Sequence, residues 1–141
     1  MRYMTLYKPG TENDMPTEKE MAAVGQLIEE MAKAGTLITT DGLQPSSKGA
    51  RVRFSGPSRT VIDGPFAETK ELVAGFWLIQ VKSKEEAIEW VKRAPNPFLT
   101  GESEIEIRQV FEADDFGPEL TPEVKEYEER LGKQMAANAR K

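Results

Sequence analysis

Cysteine and histidine are absent from the 141 residues of this chain. The lack of cysteine excludes disulfide bonds and thiolate nucleophiles, and the lack of histidine excludes imidazole general bases. Together they exclude every metal site built on Cys or His ligands. The sequence also has no recognised calcium-binding loop and no phosphate-binding glycine loop, so we expect neither a metal nor a cofactor. Any chemistry must rest on Asp, Glu, Lys, Arg, Tyr, Ser or Thr.

Long apolar runs and an excess of basic residues are missing as well. No run approaches the roughly 18 apolar residues that span a bilayer, and the apolar stretch in residues 1–7 is too short for a signal peptide. We therefore expect a soluble, cytoplasmic protein with no membrane partner. With 24 acidic and 19 basic residues the net charge is −5, and Lys and Arg do not cluster. Nucleic-acid binding is not expected from such a charge distribution.

Hydrophobic periodicity predicts one α+β domain. A chain of this length buries roughly two-thirds of its unfolded surface in a single core. The predicted strands cover residues 2–7, 36–40, 49–55, 59–63, 72–81 and 104–111, and the predicted helices cover 17–34, 83–94 and 121–135. Without the hairpin and the last helix, this order is the βαββαβ pattern of the ferredoxin-like fold.

Two capping boxes predict where the two core helices begin. Thr17 stands three residues before Glu20, and Ser83 stands three residues before Glu86. In this spacing the hydroxyl accepts a hydrogen bond from the later amide, while the carboxylate reaches back to the cap.

The segments 49–55 and 59–63 alternate in polarity and are separated by three turn residues, which predicts a hairpin. In the register of a three-residue turn, Arg51 pairs with Asp63. One face of the hairpin is then apolar, and the other carries Arg51, Arg53 and Asp63.

The run Leu72–Val81 is apolar on both faces of its predicted strand. Such a strand must be covered on both sides, and two core helices cover only one side of a sheet. The simplest cover for the other side is a second subunit, so we expect a homodimer.

Four segments of the sequence resemble the DGPF subgroup of the YCII-related proteins. They are Asp63-Gly64-Pro65-Phe66, 49–54, 67–77 and 104–108. The resemblance covers residues 1–116 and leaves 117–141 as a C-terminal helical extension. It implies a dimeric α/β barrel, in which two ferredoxin-like sheets pack face to face. It also implies a link to extracytoplasmic-function sigma factors, which is common in this subgroup.

The wider family includes proteins proposed to be enzymes with a His and Asp pair in a pocket. This chain has no histidine, so Asp63 is the residue that can retain the acidic half of such a pair.

The candidate site is a polar pocket with Asp63 as general base and a set of ligand-binding residues. These are Arg51, Arg53, Lys70, Glu71, Phe76 and Trp77. The arginines suit a carboxylate or phosphate, because a guanidinium binds such groups through two hydrogen bonds. Three structural alternatives stay open: a simple Arg51–Asp63 ion pair, a bend that only turns the chain, and a tryptophan packed at the dimer interface.

Two functional hypotheses follow. In the first, the protein is an enzyme of lyase, isomerase or hydrolase type that acts on a small anionic molecule in a pocket near the dimer interface. In the second, it is a non-catalytic binding or regulatory module that acts with a sigma factor through its charged face or its last helix. A stable dimer of unidentified function is the third possibility.

Overall fold

The computed structural model describes residues 1–9, 18–68, 71–95 and 103–139 of the chain. Its strands are β1 (Arg2–Lys8), β2 (Leu37–Gly42), β3 (Ala50–Ser55), β4 (Ser58–Asp63), β5 (Gly75–Gln80) and β6 (Glu104–Gln109). Its α-helices are α1 (Glu18–Lys33), α2 (Lys84–Lys92) and α3 (Pro122–Ala139). The chain divides into two compact units, Met1–Val110 and Phe111–Lys141. No helix of the described part is long and apolar enough to cross a membrane.

The first unit contains a four-stranded antiparallel sheet with the strand order β2-β5-β1-β6. Strand β5 lies between β1 and β2, so the β1-α1-β2 connection skips over one strand position. This split arrangement is compatible with a ferredoxin-like fold, and the α+β class predicted from the sequence is confirmed. Strands β3 and β4 form a separate two-stranded sheet.

The core lies between this sheet and the helices α1 and α2. Residues paired across antiparallel strands project to the same face, which places Tyr3, Thr5 and Trp77 with Ile79 on the helix side. Met31 of α1 and Ile79 are completely buried. The buried cluster consists of Tyr3, Leu27, Met31, Ile79, Val81 and Ala87.

The opposite face of the sheet carries a second set of apolar side chains. The register places Met4 beside Leu78 and Leu6 beside Phe76, and all four are half-buried. An ion pair between Lys8 and Glu106, with 2.9 Å between Nζ and Oε1, borders this set. Strand β5 is thus apolar on both faces, as the sequence predicts, although the regular strand is Gly75–Gln80 rather than the longer 72–81.

The Ser83 cap predicted at the start of α2 is confirmed, but the return bond of the capping box is not. The Ser83 hydroxyl accepts a hydrogen bond from the Glu86 amide at 3.1 Å. The Glu86 carboxylate accepts from the Lys82 amide at 2.8 Å rather than from the cap residue itself. Thr17, the cap predicted for α1, lies outside the described residues.

The predicted register of the hairpin is wrong by one residue. Its turn contains two residues rather than three, and Asp63 pairs with Ala50 instead of Arg51. Gly56 has a φ of 55°, which is the conformation required at the first position of a type II′ turn. A proline cannot adopt the positive φ that a type I′ turn would need at Pro57. The shorter turn moves Asp63 to the face opposite Arg51 and Arg53, because side chains alternate along a strand.

The bend after β4 is held against the loop that precedes β3. The Gly64 amide donates to the Gly49 carbonyl at 3.0 Å, and the Phe66 amide donates to the Ser46 hydroxyl at 3.1 Å. A Cβ atom on Gly64 would lie 1.7 Å from the carbonyl oxygen of Ser46. The glycine of the bend is therefore required by the close approach of two backbone segments.

The second unit consists of a short 3₁₀ turn and α3. The Phe111 and Phe116 rings lie 5.0 Å apart across the turn. The Thr121 hydroxyl accepts from the Val124 amide at 3.3 Å and caps α3, as the sequence predicts. Apolar side chains recur along one side of α3 and are all exposed: Val124, Tyr127, Leu131 and Met135.

We expect Gly64→Ala to destabilise the first unit by about 2 kcal/mol or more, because the clash is with backbone atoms that cannot rotate away. Gly25→Ala is the matched control, since an added Cβ in that helix meets no described atom within 4 Å. Alanine should stabilise α1 by about 0.5–1 kcal/mol. Urea unfolding followed by tryptophan fluorescence measures both changes. Equal stability of Gly64→Ala and wild type would contradict the close approach.

Candidate functional site

A cavity of about 860 Å³ opens in the first unit where β1 ends and β5 begins. Its size lies within the range of small-molecule sites in proteins. The walls come from β1, α1, the end of β2, the loop before β3, the bend after β4 and the start of β5. Its residues therefore come from segments far apart in the sequence.

Most of the cavity wall is apolar. Met21, Val24 and Ile28 of α1 line one side, and Leu72 and Trp77 line another. A wall of this kind favours the apolar body of a ligand, because it removes that body from water.

Arg51 is the cationic residue among the described ones that line the cavity. Its guanidinium carbon lies 3.9 Å from the centre of the Phe66 ring. One nitrogen lies 3.5 Å from a Glu68 oxygen, and another lies 3.8 Å from a Glu71 oxygen. Both distances exceed the 2.7–2.9 Å typical of charge-assisted hydrogen bonds. An anionic ligand can therefore replace these exposed carboxylates at little cost.

Tyr7 contributes a phenol from the end of β1. The pKa of Tyr7 is raised to about 12, mainly because the phenol is buried. A hydrogen bond with Ser103 lowers this pKa, and the negative charge of Glu20 raises it further. The phenol is thus neutral at physiological pH and able to donate a hydrogen bond. Glu20 lines the same cavity and brings a carboxylate.

Two threonines under the cavity direct their hydroxyl groups at the backbone. Thr5 donates to the Trp77 carbonyl at 3.2 Å, and Thr40 donates to the Phe76 carbonyl at 2.9 Å. Because these hydroxyl donors are already engaged, they hold neighbouring strands together rather than being offered to a ligand.

Among the described residues that line the cavity, the carboxylates outnumber the cation. The cation is Arg51, and the carboxylates belong to Glu20, Asp41 and Glu71. A purely anionic molecule would meet one favourable charge and several unfavourable ones. A molecule with one anionic and one cationic or donor group suits this wall better.

The structure brings together four of the residues proposed from the sequence: Arg51, Glu71, Phe76 and Trp77 all line the cavity. By the alternation of β5, Trp77 projects to the helix side and Phe76 to the other side. The tryptophan therefore does not project from the face for which a partner subunit was predicted.

Two of the proposed residues are not among the described residues that line the cavity. Arg53 and Asp63 are both exposed. The predicted grouping of Asp63 with the two arginines on one face is wrong, for the reason given by the hairpin register. Lys70 lies outside the described residues.

Tyr7 and Glu20 line the cavity but were not proposed from the sequence. Tyr7 was assigned only to the alternation of β1, and Glu20 only to a helix cap. Their proximity depends on how α1 crosses the sheet, which no local pattern shows. A tyrosine at the last alternating position before Pro9 was the available signal.

The family of the chain follows from a comparison with known domains. A model of the YCII-related domain matches residues 1–114. The chain belongs to the YCII-related family. The match includes all six strands and every described residue that lines the cavity.

This YCII-related chain is also similar to an uncharacterized protein of Rhizobium meliloti (strain 1021). The two are 35% identical over 85 residues, which cover 60% of this chain and 66% of that relative. This similarity is consistent with membership of the YCII-related family, and the name of the relative states no reaction.

The pKa of Tyr7 predicts a pH dependence of stability. The unfolded chain loses this proton near pH 10 and the folded chain near pH 12. Between these values the folded state binds more protons, so the free energy of unfolding falls as the pH rises through this window. In the Tyr7→Phe variant we expect the decrease in the free energy of unfolding that is due to this phenol to be absent.

Urea unfolding between pH 8 and pH 12 measures the difference between wild type and Tyr7→Phe. Below about pH 9 the difference should be constant, because the tyrosine is protonated in both states. Parallel profiles up to pH 12 would show that the phenol is not buried as described.

Proposed function

We propose that this YCII-related protein belongs to the DGPF subgroup and is a homodimeric enzyme that binds a small molecule in the cavity beside Arg51. The observation that carries the proposal is a guanidinium stacked on Phe66 at the wall of a large apolar cavity. Stacking holds the guanidinium plane in place, so less freedom is lost when it binds a carboxylate.

The charges of the wall narrow the class of ligand. Arg51 holds a carboxylate or phosphate, and the apolar wall around Trp77 holds the body of the molecule. Glu20 and Asp41 favour an ammonium or hydroxyl group elsewhere on the same ligand. The ligand class is therefore a small zwitterion or hydroxy acid with an apolar portion, which refines the anionic substrate expected from the sequence.

Proton transfer next to the bound carboxylate is the reaction that these residues support. Glu20 is the carboxylate that accepts the proton, and the neutral phenol of Tyr7 donates a hydrogen bond to the negative charge that develops. Chemistry of this kind belongs to lyases and isomerases. Glu20 takes the role that the sequence suggested for Asp63.

The apolar face formed by Met4, Leu6, Phe76 and Leu78 supports the dimer. Half-buried apolar groups on the sheet face opposite the helices are typical of a surface that a partner covers. A second copy packed there gives the face-to-face sheets of a dimeric α/β barrel, in which Phe76 belongs both to the interface and to the cavity wall.

The exposed side of α3 favours a second candidate function. Val124, Tyr127, Leu131 and Met135 recur at the spacing by which an amphipathic helix binds a groove. A regulatory module that contacts a sigma factor through this helix would use it without the cavity, so its binding would not depend on Arg51.

Binding of matched probes tests the ligand class. Free phenylalanine, phenylpropionate and phenethylamine share an aromatic body and differ in their charged groups. We expect phenylalanine to bind about tenfold more tightly than either of the others, because each lost charge removes a charge-assisted hydrogen bond. Chemical-shift titration of the labelled protein measures the three affinities.

In the same titrations, Arg51→Gln should weaken phenylalanine and phenylpropionate by about tenfold or more and leave phenethylamine unchanged. Arg53→Gln is the matched control, since Arg53 lies two residues further along the same strand and face, away from the cavity. Equal effects of the two substitutions, or an equal loss for phenethylamine, would contradict the role of Arg51.

We expect Leu78→Glu to convert the dimer into a monomer. Dimer formation would bury the new carboxylate among apolar side chains with no opposite charge or hydrogen-bond donor to compensate it. Met135→Glu adds the same charge at an exposed apolar position of α3 and should leave the dimer intact. Sedimentation equilibrium at micromolar concentration measures both, and circular dichroism confirms folding. If the wild type is a monomer, or if the Leu78→Glu variant is still a dimer, the sheet face is not the dimer interface.

A further inference from the structure

The hairpin of β3 and β4 exposes an apolar face that has no role in the cavity. Cross-strand pairs place Val52 beside Val61 and Phe54 beside Arg59 on this face. The exposed fractions are 51% for Val52, 67% for Phe54 and 66% for Val61. An isolated two-stranded sheet is marginally stable in water, so a cover for this face would stabilise the hairpin.

Charge is arranged in a specific way along the face. Arg59 lies at the tip, where its guanidinium donates to the carbonyl oxygens of Gly56 and Ser58, each at 2.9 Å. Asp63 lies at the base, about 13 Å away along the strand. Neither residue forms an ion pair with another residue in the described part of the chain.

Size is arranged in the same way. The large Phe54 occupies the tip of β3, and the small Ala50 occupies its base beside Asp63. The guanidinium carbon of Arg59 lies 4.5 Å from the centre of the Phe54 ring. The tip is thus bulky and positive, the middle apolar, and the base small and negative.

We propose that this hairpin face packs on the same face of a second copy of the chain, with the two hairpins running in opposite directions. The two-fold axis then lies in the interface, perpendicular to the strands. It places Arg59 of each copy over Asp63 of the other, Phe54 over Ala50, and Val61 over Val61. Both charge and size are complementary in this arrangement, as an isologous contact requires.

The contact is separate from the proposed ligand site, since Asp63 and Val61 are not among the described residues that line the cavity. Each copy contributes six residues of a two-stranded sheet, an area smaller than the roughly 1,000 Å² of a stable interface. We therefore expect a weak contact, which strengthens a dimer or joins dimers at high protein concentration.

Cross-linking at a single cysteine tests the geometry. The chain has no cysteine, so Val61→Cys introduces a unique thiol next to its own symmetry mate. A short thiol-specific cross-linker should join two chains of this variant. Thr60→Cys is the matched control, since Thr60 is the neighbouring residue and projects to the opposite face. Equal yields at both positions, or no product at Val61→Cys, would overturn the proposal.

Charge reversal in the Val61→Cys background tests the pairing. Arg59→Asp places carboxylates over carboxylates, and Asp63→Arg places guanidinium groups over guanidinium groups. Each change should lower the cross-linking yield about fivefold or more, because two favourable contacts become unfavourable. The double variant Arg59→Asp/Asp63→Arg should recover the yield at unchanged net charge.

A mixture of the two single variants provides the decisive arm. In a mixed pair, Asp at position 59 faces Arg at position 63, and Asp63 faces Arg59, so both contacts are favourable. The mixture should therefore cross-link as well as the parent variant. If mixing gives no recovery, the face is covered by something other than a second hairpin, and the proposal is wrong.

Discussion

The close approach of Gly64 to the Ser46 carbonyl is the constraint on which the arginine side of the cavity depends. It brings the bend after β4 against the loop before β3, and the Phe66 amide then reaches the Ser46 hydroxyl. Phe66 is held under the guanidinium of Arg51 as a result. The absence of a Cβ atom at Gly64 therefore allows the contact that positions Phe66, and through Phe66 the guanidinium of Arg51 at the cavity wall.

Local patterns predicted the elements well, because each depends on neighbours in the sequence. The Ser83 cap needs only Glu86, three residues away, and the alternation within Glu104–Gln109 needs only a sheet with one buried face. The apolar run before Val81 predicted correctly that β5 presents apolar side chains on both sides. Such features follow from helical spacing and strand pleat alone.

The candidate site was harder to predict, because one residue of register decides which groups meet. A two-residue turn at Gly56 and a three-residue turn are both consistent with the sequence, and they place Asp63 on opposite faces. The neighbourhood of Tyr7 and Glu20 depends on the path of α1 over the sheet. Reasoning from sequence therefore named Arg51 and Trp77, which line the cavity, but placed Asp63 on the wrong face of the hairpin.

The central position of β5 has a consequence for how the chain assembles during synthesis. Strand β1 pairs with β5 and β6, and β2 pairs with β5. Until Gln80 has been made, the β3–β4 hairpin is the strand pairing available to the described residues. The first half of the chain then carries two strands with unpaired edges, which are prone to incorrect association. Formation of the sheet must wait for a strand encoded beyond the middle of the sequence, so its contacts close long loops and it is expected to form late.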